Sequence, residues 1–220
     1  MHTLSLAVCF FSLISLSSSM STPSVSALKK SLRTAVRSSL KSLTPATSVE
    51  ASKKITDEIL ASSEYKEASN IACFLSMPSG EVDTRDLCAS ILSDPTKALY
   101  VPRVGLDFSQ NDMEMVEVVG DSYSVISSWA TNKWAIPEPP STLTSVATPT
   151  TLDLVIVPGC AFTPGGRRCG HGRGYYDSYL SKLEKKPALI GVGFECQLRR
   201  NEEDVPVEQH DVRMDRVFVG

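Results

Sequence analysis

Between residues 165 and 177 the chain reads Gly165-Gly166-Arg167-Arg168-Cys169-Gly170-His171-Gly172-Arg173-Gly174-Tyr175-Tyr176-Asp177. Half of the first ten positions are glycine, and most of the others are arginine or histidine. That combination suits an anion, above all a phosphate. Glycines let backbone N–H groups approach without interference from a Cβ, and arginines offer forked donors to phosphoryl or carboxylate oxygens. A helix expected to begin near Gly174 would aim its positive end at the same point. The spacing is neither G-x-G-x-x-G nor a loop ending in Gly-Lys-Ser/Thr, so neither common nucleotide label applies. A plain surface turn is the competing reading.

Other residues offer chemistry at a distance in sequence. Lys29 and Arg33 are four apart and share one helix face, which by itself reads as a solvated basic surface. Glu81, just before Asp83, reads by itself as a helix-leading acid. Trp134, just before Pro137, is either a loop aromatic flanking a planar ring or a core anchor. The cysteines at 9, 73, 88, 160, 169 and 196 have no Cys-x-x-Cys spacing, and Cys73 and Cys160 sit in apolar runs typical of buried thiols, which implies a reducing compartment. Cys169 inside the loop is either a reactive thiol or a packing residue.

Taken together these segments resemble the 5-formyltetrahydrofolate cyclo-ligase, or methenyltetrahydrofolate synthetase, family. Its signature runs Pro-Gly-x-x-Phe and then Gly-x-Arg-x-Gly-Arg-Gly-x-Gly-Tyr-Tyr-Asp; this chain has Pro158-Gly159-Cys160-Ala161-Phe162 and then residues 166–177 as written above. The likeness extends to Lys29-Lys30-Ser31-Leu32-Arg33, Phe74-Leu75-Ser76-Met77 with Glu81, Val101-Pro102-Arg103, Trp134-Ala135-Ile136-Pro137, and Val205-Pro206 with His210-Asp211. His171 stands where an arginine is usual, and Thr163 where an aspartate often follows the phenylalanine.

The resemblance implies ATP-dependent closure of 5-formyltetrahydrofolate to 5,10-methenyltetrahydrofolate, with ADP and phosphate released, through a phosphorylated formyl group that N10 attacks. It implies ATP contacts from Lys29, Lys30, Arg33 and the run Arg168, Cys169, Gly170, His171, Gly172, Arg173, Gly174, Tyr175 and Tyr176. It implies folate contacts from Leu75, Glu81 and His171, Gly172, Arg173, Gly174 and Tyr175, with Arg168, His171, Arg173 and Tyr175 taking part in catalysis. Mg²⁺ would rest on Asp177 and Asp211, since this ion is satisfied by one or two carboxylates together with phosphate oxygens and water. Two alternatives stand beside this: a non-catalytic paralogue binding a nucleotide or RNA, although no RNP-like aromatic segment is present, and a phosphosugar or acyl-CoA enzyme on a related scaffold.

Which elements must position these residues? With 220 residues, 42% hydrophobic and 21% charged, the chain can bury one good core and is short for two. A net charge of -3 gives no global pull toward nucleic acid. No nucleic acid or membrane partner is expected, and a monomer is. Residues 1–25 form a targeting-like or dispensable segment, its apolar run too short to span a bilayer, with Met20 as a conceivable second start. The cyclo-ligase domain would then occupy 26–220, in cytoplasm or mitochondrion, since secretion conflicts with an intracellular folate.

Leu28, Leu32, Ala35, Val36, Leu40 and Leu43 recur at helical spacing, and Thr44-Pro45 restarts a second helix carrying Val49, Ile55 and Ile59. Strands are expected over 71–77, 99–104 and 113–119, a helix from Asp83 and Asp86 to about 93, and a surface linker over 142–151. The continuous apolar runs 152–157 and 188–194 suit strands covered on both faces. The expected fold is α/β: one domain of three α/β/α layers around a mostly parallel, Rossmann-like sheet. Ligands of such sheets sit beyond the strand C-termini, which would gather 74–77, Arg103 and 158–174.

Overall fold

The computed structural model describes residues 22–105 and 112–220. Helix α1 (Val25–Leu40) starts where the Ser24 hydroxyl accepts the Ala27 N–H, and α2 (Pro45–Ala61) starts where Thr44 does the same for Thr47, with proline in its first turn. After the short α3 (Ser63–Glu67) come β1 (Asn70–Cys73), α4 (Arg85–Ser93) and β2 (Ala98–Val104). There follow β3 (Met113–Glu117), the one-turn α5 (Ser124–Ser127) and β4 (Leu154–Pro158). A two-residue hairpin, β5 (Ala161–Phe162) and β6 (Arg168–Cys169), then leads to α6 (Tyr175–Leu180), β7 (Ala188–Gly193) and β8 (Arg216–Val219).

The main sheet runs β3-β2-β1-β4-β7-β8, and all its pairs are parallel except β2 with β3. The chain therefore winds outward in one direction from β1 and in the other from β4. That switch leaves a crevice beyond the C-termini of these two neighbouring strands.

Alternation divides the core. Ile71, Cys73, Leu154, Ile156, Ile190 and Val192 face Ile55 and Ile59 of α2 and Leu87 and Ile91 of α4. Ala72, Val155, Val157 and Leu189 face Leu152, Phe162, Tyr179 and Leu180. The second layer is thin, because α6 has six residues and irregular chain completes it. Helix α1 packs instead on the small hairpin, through Val36 against Cys160, Ala161, Cys169 and Val205.

The α/β, mostly parallel expectation holds, with local corrections. The first strand ends at Cys73, because the next carbonyl, that of Phe74, is taken by the Thr84 hydroxyl at 2.7 Å and the chain leaves the ladder. Leu28 and Val49 are exposed although both belong to the helical stripes, since they lie in the first turns of α1 and α2. Strand β8 and the β5–β6 hairpin were not expected; the first is a four-residue edge strand and the second lies inside what reads as loop. Cys9, Met20 and most of the 1–25 segment fall outside the described residues. Among the described residues no helix is long and apolar enough to cross a membrane.

Phe162 is fully buried, and its ring lies on glycines of two strands' length of chain: a Cβ at Gly191 would stand 2.6 Å from Phe162 Cε1, and one at Gly159 2.5 Å from its Cζ. Gly191→Ala should cost about 1–3 kcal/mol by overpacking and Phe162→Ala about 3–5 kcal/mol by opening a cavity, both readable by denaturant unfolding. Asp153 gives a pH-dependent case. Burial pulls its carboxyl upward, but Lys185 at 2.5 Å and the N–H groups of Asn70 and Ser69 outweigh this and hold it below the ordinary carboxylate range. A lowered native value means stability that is complete above the unfolded pKa of about 3.9 and lost as pH falls through the native one. The melting-temperature gap between wild type and Asp153→Asn should therefore be largest near neutrality and shrink as pH falls from about 5 toward about 3. Removing residues 1–21 keeps α1 and its cap and should leave a soluble folded chain, whereas removal through residue 25 takes Ser24 and should cost about 1 kcal/mol.

Candidate active site

The glycine run divides into two parts with different work. Gly165 and Gly166 form the turn of the β5–β6 hairpin, where the Gly166 N–H reaches the Thr163 carbonyl at 3.0 Å and the Thr163 hydroxyl accepts the Arg167 N–H at 3.0 Å. Gly166 has φ +89, and a Cβ there would lie 2.0 Å from the Met214 carbonyl oxygen, so this glycine serves backbone packing. Arg167 turns away, to the Glu202 carbonyl and the Glu203 carboxylate, both at 2.9 Å. The departure at Thr163 is thus absorbed by a buried turn.

Gly170, Gly172 and Gly174 make the loop between β6 and α6, with left-handed φ values of 108 at Gly172 and 73 at Gly174. Beneath it lies Arg168, 4% exposed. Its Nη2 donates to Asp177 Oδ1 at 2.7 Å and its Nη1 to the Pro158 carbonyl at 3.2 Å. Asp177 Oδ1 also accepts the Val212 N–H at 3.1 Å. One ion pair therefore ties the end of β4, strand β6, helix α6 and the 208–212 segment to a single point.

Helix α1 closes the loop from the side. Arg33 Nε donates to the Gly170 carbonyl at 2.8 Å, and its guanidinium lies where a side chain at Gly172 would stand, 3.4 Å from a Cβ placed there. One turn earlier, Lys29 is 5% exposed and its Nζ meets Asp211 at 2.5 and 2.8 Å and Glu208 at 2.9 Å. Burial alone would pull this ammonium toward neutrality; its hydrogen bonds and charge partners outweigh that and raise its pKa above the ordinary lysine value. Two carboxylates on one ammonium leave a negative charge over.

Between these parts opens a cleft of ≈ 850 Å³ at the β1/β4 switch point. Of the sequence-predicted residues, Leu75, Glu81, Arg168, Gly170, His171, Arg173, Gly174, Tyr175, Tyr176 and Asp177 line it. Lys29, Arg33, Cys169 and Gly172 lie outside its lining, Asp211 lines a separate small cavity with Arg168, Glu208 and Val212, and Lys30 is exposed on the outer surface of α1. Across the mouth, His171 Nε2 lies 3.3 Å from Glu81 Oε1, while Glu81 Oε2 accepts the Met77 N–H at 2.9 Å. The 170–174 loop and Glu81 thus touch. Tyr176 keeps its hydroxyl buried without a hydrogen-bond partner, and burial pushes its pKa well up.

The far wall is apolar: Pro102, Val104, Met113, Ile136 and Trp134, the last 47% exposed. Trp134 is presented by a tight turn in which Ala135 takes φ 58 and Asn132 Oδ1 accepts the Trp134 and Ile136 N–H groups at 2.9 and 3.3 Å. Arg103 does not join this wall. It holds Glu114 at 2.6 Å and the carbonyls of Pro140 and Leu143, fastening the segment after Trp134 to β2. Cys169 is a packing residue, 1% exposed, its thiol pushed up by burial, and burial likewise takes Cys160 up to about 11.

Sequence reading missed three contributors. Arg37 and Lys41 also line the cleft, and the signal was there: 29, 33, 37 and 41 continue the same four-residue spacing. Gln197 had no such signal. Fully buried, it donates to the Gly159 and Cys160 carbonyls at 2.7 and 3.2 Å and accepts the Phe194 N–H at 2.8 Å, fixing the chain as it leaves β4.

Known proteins share this sequence pattern and fold. The 5-formyltetrahydrofolate cyclo-ligase of Mus musculus is 30% identical over 205 residues, 90% of this chain and 97% of its own. That of Haemophilus influenzae is 28% identical over 193 residues, 87% and 97% respectively. The NMR structure of the Aquifex aeolicus 5,10-methenyltetrahydrofolate synthetase superimposes with a TM-score of 0.70 at 25% identity, covering 87% of this chain and 89% of that one. The model of the 5-formyltetrahydrofolate cyclo-ligase family matches residues 25–220, from the first residue of α1 to the end of the chain, and this chain belongs to that family.

Proposed function

We propose that this chain converts 5-formyltetrahydrofolate and ATP to 5,10-methenyltetrahydrofolate, ADP and phosphate. The observation that carries this reading is the contact of the 170–174 loop with Glu81 across one cleft. A loop that holds a terminal phosphate and a carboxylate that holds a pterin edge are adjacent, so the γ-phosphoryl group and the formyl oxygen would meet between them. Phosphoryl transfer needs mainly such positioning and charge neutralisation.

The formyl oxygen of an N-formyl group is a poor leaving group. Transfer of the γ-phosphoryl to that oxygen expels ADP and leaves the formyl carbon open to attack by N10. Closure then forms the N10–C bond, breaks the C–O bond, releases phosphate and gives up the N10 proton. Arg173, on the exposed loop and lining the cleft, and the loop N–H groups would neutralise the phosphoryl oxygens; Arg33 and the Arg168–Asp177 pair would hold the loop in shape. Leu75 and Glu81 would seat the pterin, Glu81 accepting from its amino and ring N–H groups.

Asp177 and Asp211 fit a hard cation by their donor chemistry: both are carboxylates, the Lys29 cluster carries surplus negative charge, and the Val212 N–H links the two aspartates' surroundings. Mg²⁺ bound there would screen charge on the phosphates. Free buried thiols suit a reducing compartment, cytoplasm or mitochondrion.

The test is the appearance of the ultraviolet-absorbing methenyl product from 5-formyltetrahydrofolate, expected with ATP and absent without it; no product under either condition overturns the reading. Glu81→Gln should raise KM for 5-formyltetrahydrofolate about tenfold or more with little change in KM for ATP. Asp177→Asn and Asp211→Asn should each raise the Mg²⁺ concentration needed for half-maximal rate, and each should also lower the melting temperature, since Asp177 neutralises the buried Arg168 and Asp211 the buried Lys29.

A further inference from the structure

Helix α1 carries four cations at intervals of four residues, and the first two are spoken for: Lys29 by Asp211 and Glu208, Arg33 by the Gly170 carbonyl. Arg37 and Lys41 are different. Both are exposed, both line the cleft, and neither side chain makes a hydrogen bond or ion pair with another described residue. Helical rise puts Lys41 about 12 Å beyond Arg33 along the axis, leading away from the phosphate loop. Leu40 and Leu43 beside them, with Trp134 and Ile136, leave the intervening walls apolar.

The cleft thus has a carboxylate, Glu81, among its lining groups, apolar walls, and a pair of unengaged cations. A ligand complementary to that series has a donor-rich ring, an apolar middle and a multiply anionic end. Resting on the function proposed above, we infer that Arg37 and Lys41 recognise the carboxylates of the glutamyl end of the folate and so determine specificity for the glutamate-bearing substrate. Arginine grips a carboxylate through two parallel donors, and lysine adds a compact charge one helical turn away. Near the last turn of α1 both would also favour the helix dipole without any ligand, which the test must separate.

Equilibrium binding of 5-formyltetrahydrofolate and of 5-formyltetrahydropteroate, the same molecule without glutamate, is measured by titration calorimetry on the full chain and on Arg37→Gln, Lys41→Gln and the double variant. The full chain should bind the glutamate-bearing compound about 100-fold more tightly, each single variant should lose about tenfold of that preference, and the double variant should bind the two compounds alike. Affinity for 5-formyltetrahydropteroate and for ATP should stay where it was. The inference is overturned if the full chain shows no preference, if the double variant keeps it, or if the variants only lower the melting temperature. Weakened ATP binding with the preference intact would also overturn it, assigning the cations to nucleotide phosphates. Should the full chain bind neither folate compound, the proposed function itself fails, a result distinct from binding both equally.

Discussion

A guanidinium held out of water has to be neutralised where it stands, since leaving one partner of a buried pair alone costs about 3–5 kcal/mol. Arg168 meets that requirement with Asp177 and the Pro158 carbonyl, and Asp177 in turn takes the Val212 N–H. The end of β4, the hairpin, the start of α6 and the segment bearing Asp211 are therefore set relative to one another by one pair of charges. Everything that makes the glycine loop more than a turn follows from this: its two ends are fixed before any ligand arrives, so its backbone donors need little reorganisation on binding.

Helix α1 supplies the second constraint. It adds no strand to the main sheet and packs on the small hairpin and the 195–197 turn, and it delivers Lys29 to the acidic 208–211 segment, Arg33 to the loop, and Arg37 and Lys41 to the cleft. A helix with regular four-residue spacing can present charges in a line because its side chains at i and i+4 stack on one face. The two family departures have unequal weight in this setting. Thr163 is buried in the hairpin turn, whereas His171 stands at the cleft and meets Glu81 directly.

Much of this was legible in the residues themselves. The buried strands β4 and β7 announced themselves as unbroken apolar runs, and α2 by its Thr-Pro start, because burial on both faces and N-capping each demand particular residue types. The short strand β8 did not, since a four-residue edge strand with an exposed arginine carries too little pattern to separate from loop. Nor did the hairpin, two residues a side, whose glycines read equally well as ligand loop.

Residue types and their order determined that the fold is α/β and that the chain carries a family signature, and they singled out residues 168–177 as a candidate anion site. Which arginine opens on the cleft and which holds the structure was decided only by the tertiary arrangement. Arg167, Arg168 and Arg173 are near neighbours in sequence, yet one turns to Glu202 and Glu203, one is buried on Asp177 and one lines the cleft. The physical reason is that a guanidinium's role is set by the nearest unpaired acceptor and by its exposure to water, and the partners that decide these here, from Pro158 to Glu203, are assembled from separate strands and turns.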